Sequence, residues 1–204
     1  MAAPSTVDLG SVPVAIVGGG PVGLGLAIEL GQRGIECVVI EPYEAPQPIP
    51  KGQNLTQRSL EHFHFWGVEA QLRAARTIPA AYGIGGLTAY GTLLGPYAYD
   101  WLQRELVRPY YFCDNERLPQ YATEAVLRNR IAQLPSVTVR YGSRANEVEP
   151  SDDGIALTLT DLQGQQSLLR AQYVVGCDGS RSLVRQQANI TQTLSDHDRL
   201  MVLL

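Results

Sequence analysis

No stretch of the sequence approaches the roughly 18 consecutive apolar residues that a membrane-spanning helix needs. The opening MAAPSTVDLGS has neither the basic start nor the apolar run of a signal peptide. The expectation is therefore a protein of the cytoplasm with no membrane partner. Basic excess is lacking too: 16 Lys and Arg stand against 20 Asp and Glu, a net charge of -4, which weighs against nucleic acid as a partner. Cysteine is scarce. Cys37, Cys113 and Cys177 are odd in number and show no C-x-x-C spacing, so neither a disulfide framework nor a zinc site is expected, and a reducing compartment fits. Histidine is as rare: His62 and His64 lie two positions apart on a helical stretch and so face different ways, while His197 sits in SDHDRL, a solvated turn. Neither a metal site nor a catalytic dyad is expected from them. A G-x-S-x-G elbow is absent, which disfavours a hydrolase, and there is no internal repeat or low-complexity segment.

Glycine, by contrast, stands in informative places. In VAIVGGGPVGLGLAIELGQRGIECVVIEP, Val14 to Pro42, a β-rich run over Val12 to Val17 enters three glycines. A helical pattern follows over Pro21 to Gln32, ended by Gly34, and then a second strand over Ile35 to Ile40. This is a βαβ unit of ordinary length. Gly18, Gly20 and Gly23 form G-x-G-x-x-G: the first permits a tight turn, the second lets backbone approach a pyrophosphate, and the third lets helix and strand pack closely. The N-terminus of the helix beginning near Pro21 would face the anion. Glu41, at the end of the second strand, can accept hydrogen bonds from ribose hydroxyls and would repel a 2′-phosphate, which favours FAD or NAD over NADP. Taken alone, the same residues also suit an ordinary turn and a solvated strand end.

Downstream, a proline-dense loop leads to an amphipathic helix over Leu55 to Trp66, stopped at Gly67. Thr77 to Phe112 is rich in glycine and tyrosine and reads as irregular strands inserted between two halves of the first domain. Its Tyr97, Tyr99, Tyr110 and Tyr111 suit either an aromatic pocket or ordinary half-buried sheet. Helical spacing returns over Tyr121 to Leu134. Short strands follow at Val137 to Tyr141, around Glu147, and at Ile155 to Thr160, Gln166 to Leu169 and Tyr173 to Val175. Turns at Asp152-Asp153-Gly154 and Gln163-Gly164-Gln165 connect them.

The discriminating stretch is YVVGCDGSRSLVRQ, Tyr173 to Gln186, where a strand runs into Gly176-Cys177-Asp178-Gly179 and then a helix start capped by Ser180 or Ser182. It resembles the D-G motif of the FAD-dependent aromatic hydroxylases, single-component flavoprotein monooxygenases of the p-hydroxybenzoate and phenol hydroxylase type. Lys51-Gly52-x-x-Leu55-x-x-Arg58-Ser59-Leu60-Glu61 resembles the family's helix after the second strand, with Lys51 where an arginine is usual. Leu118-Pro119-Gln120 with Glu124 and Leu127 resembles its glutamine helix. The resemblance runs from Val12 to Leu204.

It implies an α/β fold: a Rossmann-like FAD-binding domain with a β-meander, plus the beginning of an α+β substrate domain. Residues 1–80 and 118–190 would form the discontinuous FAD domain, and 81–117 and 191–204 parts of the substrate domain. Carried over position by position, Gly18, Gly20, Pro21, Val22 and Gly23 would serve the FAD pyrophosphate and Glu41 the adenosine ribose. Lys51 and Gln120 would lie near the pyrophosphate and ribityl chain, and Val148, ahead of the meander, beside the adenine. Asp178 and Gly179 would serve both FAD and the docking of NADH or NADPH, with Arg185 orienting the aspartate. A lysine at 51 offers a point charge rather than a planar fork.

The activity implied is hydroxylation of a small phenolic substrate with O2 through a flavin C4a-hydroperoxide. No protein acid-base dyad is needed for it, because the oxygen chemistry is the cofactor's. The family's later G-D motif, typically G-D-A-A-H, is not found, and the sequence ends in the apolar Arg199 to Leu204. An N-terminal portion of a longer enzyme is therefore expected, prone to self-association, with a homo-oligomer left open. Two further readings stand: an NAD-dependent dehydrogenase, which leaves GCDGSRS unexplained, and an inactive nucleotide-binding fragment.

Overall fold

The computed structural model describes residues 6–49, 51–77, 79, 87–92, 95–100, 106, 108–152 and 154–193. The predicted βαβ unit is its centre: strand β1 (Val7–Val17), helix α1 (Pro21–Gly31) and strand β2 (Cys37–Glu41). All five residues of β2 are buried, as expected for a parallel strand covered on both faces. After α1, Gly34 adopts φ +72° and Ile35 N–H donates to Leu30 O at 3.1 Å, closing the helix where the glycine predicted it. Strand β3 (Asn54–Leu55) and helix α2 (Gln57–Phe65) follow. Thr56 caps α2 by accepting from Ser59 N–H at 3.3 Å, and Gly67, φ +72°, ends it. Next come helix α3 (Glu69–Ala74), the paired strands β4 (Leu87–Ala89) and β5 (Ala98–Asp100), and β6 (Glu116–Arg117), which pairs antiparallel with β3. Helix α4 (Gln120–Ile131), strands β7 (Val137–Tyr141), β8 (Ser143–Ser151), β9 (Gly154–Asp161) and β10 (Gln166–Gly176), and the short helix α5 (Leu183–Gln187) complete the described chain.

The main sheet has the order β7-β2-β1-β10-β9-β8. Its first four strands are parallel, while β10, β9 and β8 run antiparallel as the expected meander. Strand alternation divides the core in two. Ile16, Cys37 and Val39 pack with Leu24 and Ile28 of α1, Leu60 and Phe63 of α2 and Leu127 of α4. Ala15, Val17, Val38 and Ile40 point the other way, onto Leu157, Leu159, Leu169 and Ala171 of the meander. The parallel strands are thus sandwiched between helices and meander, which satisfies both of their apolar faces.

Several boundaries differ from expectation: β2 spans Cys37–Glu41, α2 starts at Gln57 because Leu55 lies in β3, and α4 spans Gln120–Ile131. β1 begins at Val7, not Val12, because Gly10 (φ +78°) makes a bulge there, its N–H bound to Asp8 Oδ1 at 2.9 Å, and the strand resumes beyond it. The two strands expected over 166–175 are one, since β10 pairs with β9 through Ala171 and with β1 through Gly176. Val148 lies within the first meander strand, β8, rather than ahead of the meander. The stretch expected to be an apolar strand over Arg199 to Leu204, and His197, lie outside the described residues.

Candidate functional site

β1 and β10 are neighbouring parallel strands in register Val17↔Gly176, so the turns that leave them emerge side by side. Cys177 N–H donates to Val17 O at 2.7 Å and Gly18 N–H to Ile40 O at 2.9 Å, locking both turns to the strand ends. Gly18 has φ +107°, and a Cβ there would fall onto the Cys177 carbonyl and within 2.8 Å of Asp178 N. The two glycine motifs, more than 150 positions apart, touch backbone to backbone. A Cβ on Gly23 would fall onto Gly18 O, which is the close helix–strand packing expected of the third glycine. Gly20 differs: its φ is an ordinary -74°, and a Cβ on it would meet nothing within 4 Å. The space above it is open. Gly20 is also the N-cap of α1, with no side chain to cap the helix, and Pro21 follows in the first turn. The first intrahelical bond is Leu24 N–H to Gly20 O at 2.9 Å, which leaves the preceding Val22 and Gly23 amides as donors at a positive helix end.

Glu41 is buried beneath this turn. Its Oε2 accepts from Gly19 N–H at 2.6 Å and its Oε1 from Tyr43 N–H at 3.0 Å, so the carboxylate expected to face a ribose also pins the loop from below. A Cβ on Gly19 would come within 2.8 Å of Glu41 Cβ. Each carboxylate oxygen keeps a second lone pair for a further donor.

Asp178 Oδ2 accepts from Leu183 N–H at 2.6 Å and Val184 N–H at 3.3 Å, while Ser182, the cap chosen over Ser180, accepts from Arg185 N–H at 3.0 Å. The backbone of α5 orients the aspartate. The expected Arg185 contact does not occur among the described residues, because these amides reach the carboxylate directly. Asp178 Oδ1 is buried and has no hydrogen-bond partner there, a condition that costs about 1–3 kcal/mol unless a donor is supplied. Gly179, φ +80° and exposed, completes the turn. Burial, with the Asp178 carboxylate beside it, pushes the Cys177 thiol up, so the sulfur between the two turns is a poor nucleophile.

Lys51 and Gln120 belong to a second grouping built by the β3–β6 pair. Leu118 N–H donates to Gln53 O at 2.8 Å, and Gln120 Oε1 stands 3.9 Å from where a Gly52 Cβ would be. Gln120 Nε2 donates to the buried Glu124 at 2.7 Å, which fixes the amide. Lys51 is exposed. Val148 N–H donates to Gln187 Oε1 at 2.6 Å, so a residue that no sequence motif marked engages the backbone expected beside the adenine. Tyr97, Tyr110 and Tyr111 are exposed, and the side chain of Tyr99 lies outside the described residues. A polar cleft of about 270 Å³ lined by Glu44, Arg140, Tyr141 and Asp161 contains none of the predicted cofactor residues.

The chemistry of the paired turns is complementary. One offers amide donors and room, the other a carboxylate oxygen in want of a donor, and both suit a dinucleotide carrying phosphates and hydroxyls. Comparison with known proteins agrees. The profile of a family described as "FAD binding domain" matches residues 11–203. A probable NADH-specific resorcinol 4-hydroxylase of Rhodococcus jostii (strain RHA1) is 31% identical over 184 residues, covering 87% of this chain and 32% of that protein. The para-nitrophenol 4-monooxygenase of Pseudomonas sp. (strain WBC-3) is 32% identical over 181 residues, covering 87% of this chain and 42% of its own length. The crystal structure of the flavin-dependent monooxygenase PieE in complex with FAD and substrate superposes with a TM-score of 0.78 at 26% identity, over 93% of this chain and 33% of that one. The chain thus spans about a third to two fifths of these proteins. The extent of the profile match, with the fold and the paired turns, places the chain in the FAD-binding domain family of flavin-dependent monooxygenases and hydroxylases.

Proposed function

We propose that this chain forms the nucleotide-holding part of an FAD-dependent, NADH- or NADPH-consuming monooxygenase that hydroxylates a small aromatic, phenolic molecule. The observation that carries the reading is the junction of the Gly18–Gly23 and Gly176–Gly179 turns, with open space over Gly20 and an unpartnered Asp178 Oδ1. When bound, FAD would supply the redox chemistry, accepting reducing equivalents from the nicotinamide and delivering one atom of O2 to the ring while the other leaves as water.

The chain's own residues bind and orient. Val22 and Gly23 amides at the head of α1 receive the pyrophosphate over Gly18, Gly20 and Pro21, and the free lone pairs of Glu41 receive ribose hydroxyls. Asp178 accepts a hydroxyl from the flavin side chain or the docking nicotinamide, with Gly179 leaving the approach open. Lys51 contributes a point charge and Gln120 a fixed amide along the same cofactor, and Val148 borders the adenine once Gln187 yields its amide. Residues 1–80 and 118–190 make up the FAD domain in this reading, and 81–117 and 191–204 belong to a substrate domain. Cysteines that are all free suit the cytoplasm, and self-association into a homo-oligomer is part of the proposal.

Titration of the 204-residue chain with FAD and with NAD, followed by flavin fluorescence and by calorimetry, tests the binding step. FAD should bind more tightly than NAD, and preference for NAD would favour a dehydrogenase. Activity is tested in a chain of the relatives' full length carrying these residues. NADH or NADPH oxidation with matching oxygen uptake, stimulated by a phenol, is the expected result; flavin binding without any such turnover across a phenol panel would leave the inactive-fragment reading standing.

A further inference from the structure

Apart from the dinucleotide turns, a cluster among the described residues joins donor atoms that the sequence scatters. His64 at the end of α2, Glu69 at the start of α3 and Cys113 before β6 bring an imidazole nitrogen, a carboxylate oxygen and a thiol sulfur within 4.8 Å of one another. We propose that His64 Nδ1, Glu69 Oε2 and Cys113 Sγ form a binding site for one zinc ion, with solvent in the fourth position.

The donor set is one zinc favours, and ligands of a tetrahedral zinc stand about 3.3–3.6 Å apart given bond lengths of about 2.0–2.3 Å. His64 Nδ1 and Glu69 Oε2 are already 3.0 Å apart. The carboxylate is oriented for single-oxygen ligation, because Arg73 donates to the other oxygen, Oε1, from Nε at 2.9 Å and Nη2 at 2.8 Å. Arg73 brings a positive charge beside the site, but it is shared with Glu116, which is buried and also paired with Arg76 at 3.1 Å. Cys113 is buried, while His64 is exposed and gives solvent a route of entry. Burial first, then the Glu69 carboxylate, pushes the Cys113 thiol up; a divalent cation in that place would reverse both effects and release the thiol proton to solvent. The ion would join α2 and α3 to the segment entering β6. The spacing of 64, 69 and 113 follows no zinc motif, so only the fold could reveal it.

Cobalt(II) substitution of the 204-residue chain, prepared in chelator and then titrated, is the test. One equivalent should give a tetrahedral spectrum with thiolate-to-cobalt charge transfer, displaced by zinc. His64→Gln, which alters only an exposed ring, and Cys113→Ser should each weaken zinc at least tenfold, with Cys113→Ser also abolishing the charge-transfer band. Absence of that band in the unaltered protein, or zinc affinity unchanged in His64→Gln, overturns the proposal and leaves the trio as hydrogen bonds around Glu69. FAD affinity should not change with the metal.

Discussion

The turns after β1 and β10 occupy equivalent places at the ends of adjacent parallel strands, yet they are built on opposite principles. The first is made of absence: glycines at 18 and 23 are needed because other backbone fills the space a side chain would take, and glycine at 20 leaves space filled by no protein atom. The second is made of a single side chain, Asp178, with one oxygen committed to helix α5 and the other uncommitted. Donors and room on one strand, an acceptor on the next: a ligand spanning both must carry anionic oxygens and hydroxyl donors together, as a dinucleotide does.

The first turn is least tolerant at Gly23. Because an added methyl would fall onto Gly18 O, Gly23→Ala should destabilise the chain by about 3 kcal/mol, the upper end for overpacking, or roughly 6–12 °C in Tm. Thermal unfolding followed by circular dichroism measures it. A loss under about 1 kcal/mol would mean that helix and turn can separate without cost, and that the third glycine is not holding them together.

Gly20→Val reverses the relation between stability and binding. With nothing within 4 Å of the new Cβ and an ordinary φ, the fold should keep its stability within about 1 kcal/mol while FAD affinity is abolished, since the side chain would stand where the pyrophosphate approaches. A well-folded Gly20→Val protein that still binds FAD would displace the ligand from this turn.

Asp178 separates its two oxygens by substitution. In Asp178→Asn the amide oxygen can still accept from Leu183 N–H, so stability should hold within about 0.5 kcal/mol, while the free acceptor becomes a donor and FAD affinity should fall about tenfold. Asp178→Ala loses the cap as well, about 1 kcal/mol. In a full-length chain, anaerobic stopped-flow should show flavin reduction by the nicotinamide slowed more than FAD binding is weakened. Equal binding and reduction in all three proteins would make Asp178 a helix cap and nothing more.

Legibility in the sequence followed the range of the forces. The βαβ unit, the Gly34 and Gly67 stops, the Ser182 cap and β7 rest on periodicity and local backbone preference, which a sequence carries on its face. β1 extends beyond the β-rich run of Val12 to Val17 because a bulge at Gly10 lets pairing with β10 continue back to Val7, a contact that only tertiary structure supplies. The two strands expected over 166–175 merge because pairing with β1 carries β10 through Arg170 and Ala171, a long-range contact that the local pattern does not contain. Long-range polar contacts were the least visible. Glu41 under Gly19, Gln187 on Val148 and the trio around Glu69 depend on tertiary placement, and the contact expected between Arg185 and Asp178 yields to the backbone amides of Leu183 and Val184.

The smallest expected effect lies on the helical side, away from both turns. Trp66 lies over Gly25, where a Cβ would come within 2.7 Å of the indole, and its Nε1–H donates to Glu29 Oε1 at 2.7 Å. That hydrogen bond, with Arg33 adding to it and burial opposing, holds the Glu29 carboxyl below its ordinary value of 4.5. A carboxyl depressed in the folded state contributes stability that is present above the unfolded value and is lost as pH falls through the folded one. Trp66→Phe keeps most of the ring packing and removes the donor, so it should cost about 1 kcal/mol at pH 7. The gap between the two proteins should narrow as pH is lowered from about 5 toward 3, because protonation takes from the parent what the substitution has already removed. Melting curves across that range decide the matter: a gap at pH 3 equal to that at pH 7 would assign the loss to indole packing on Gly25 and none of it to the carboxylate.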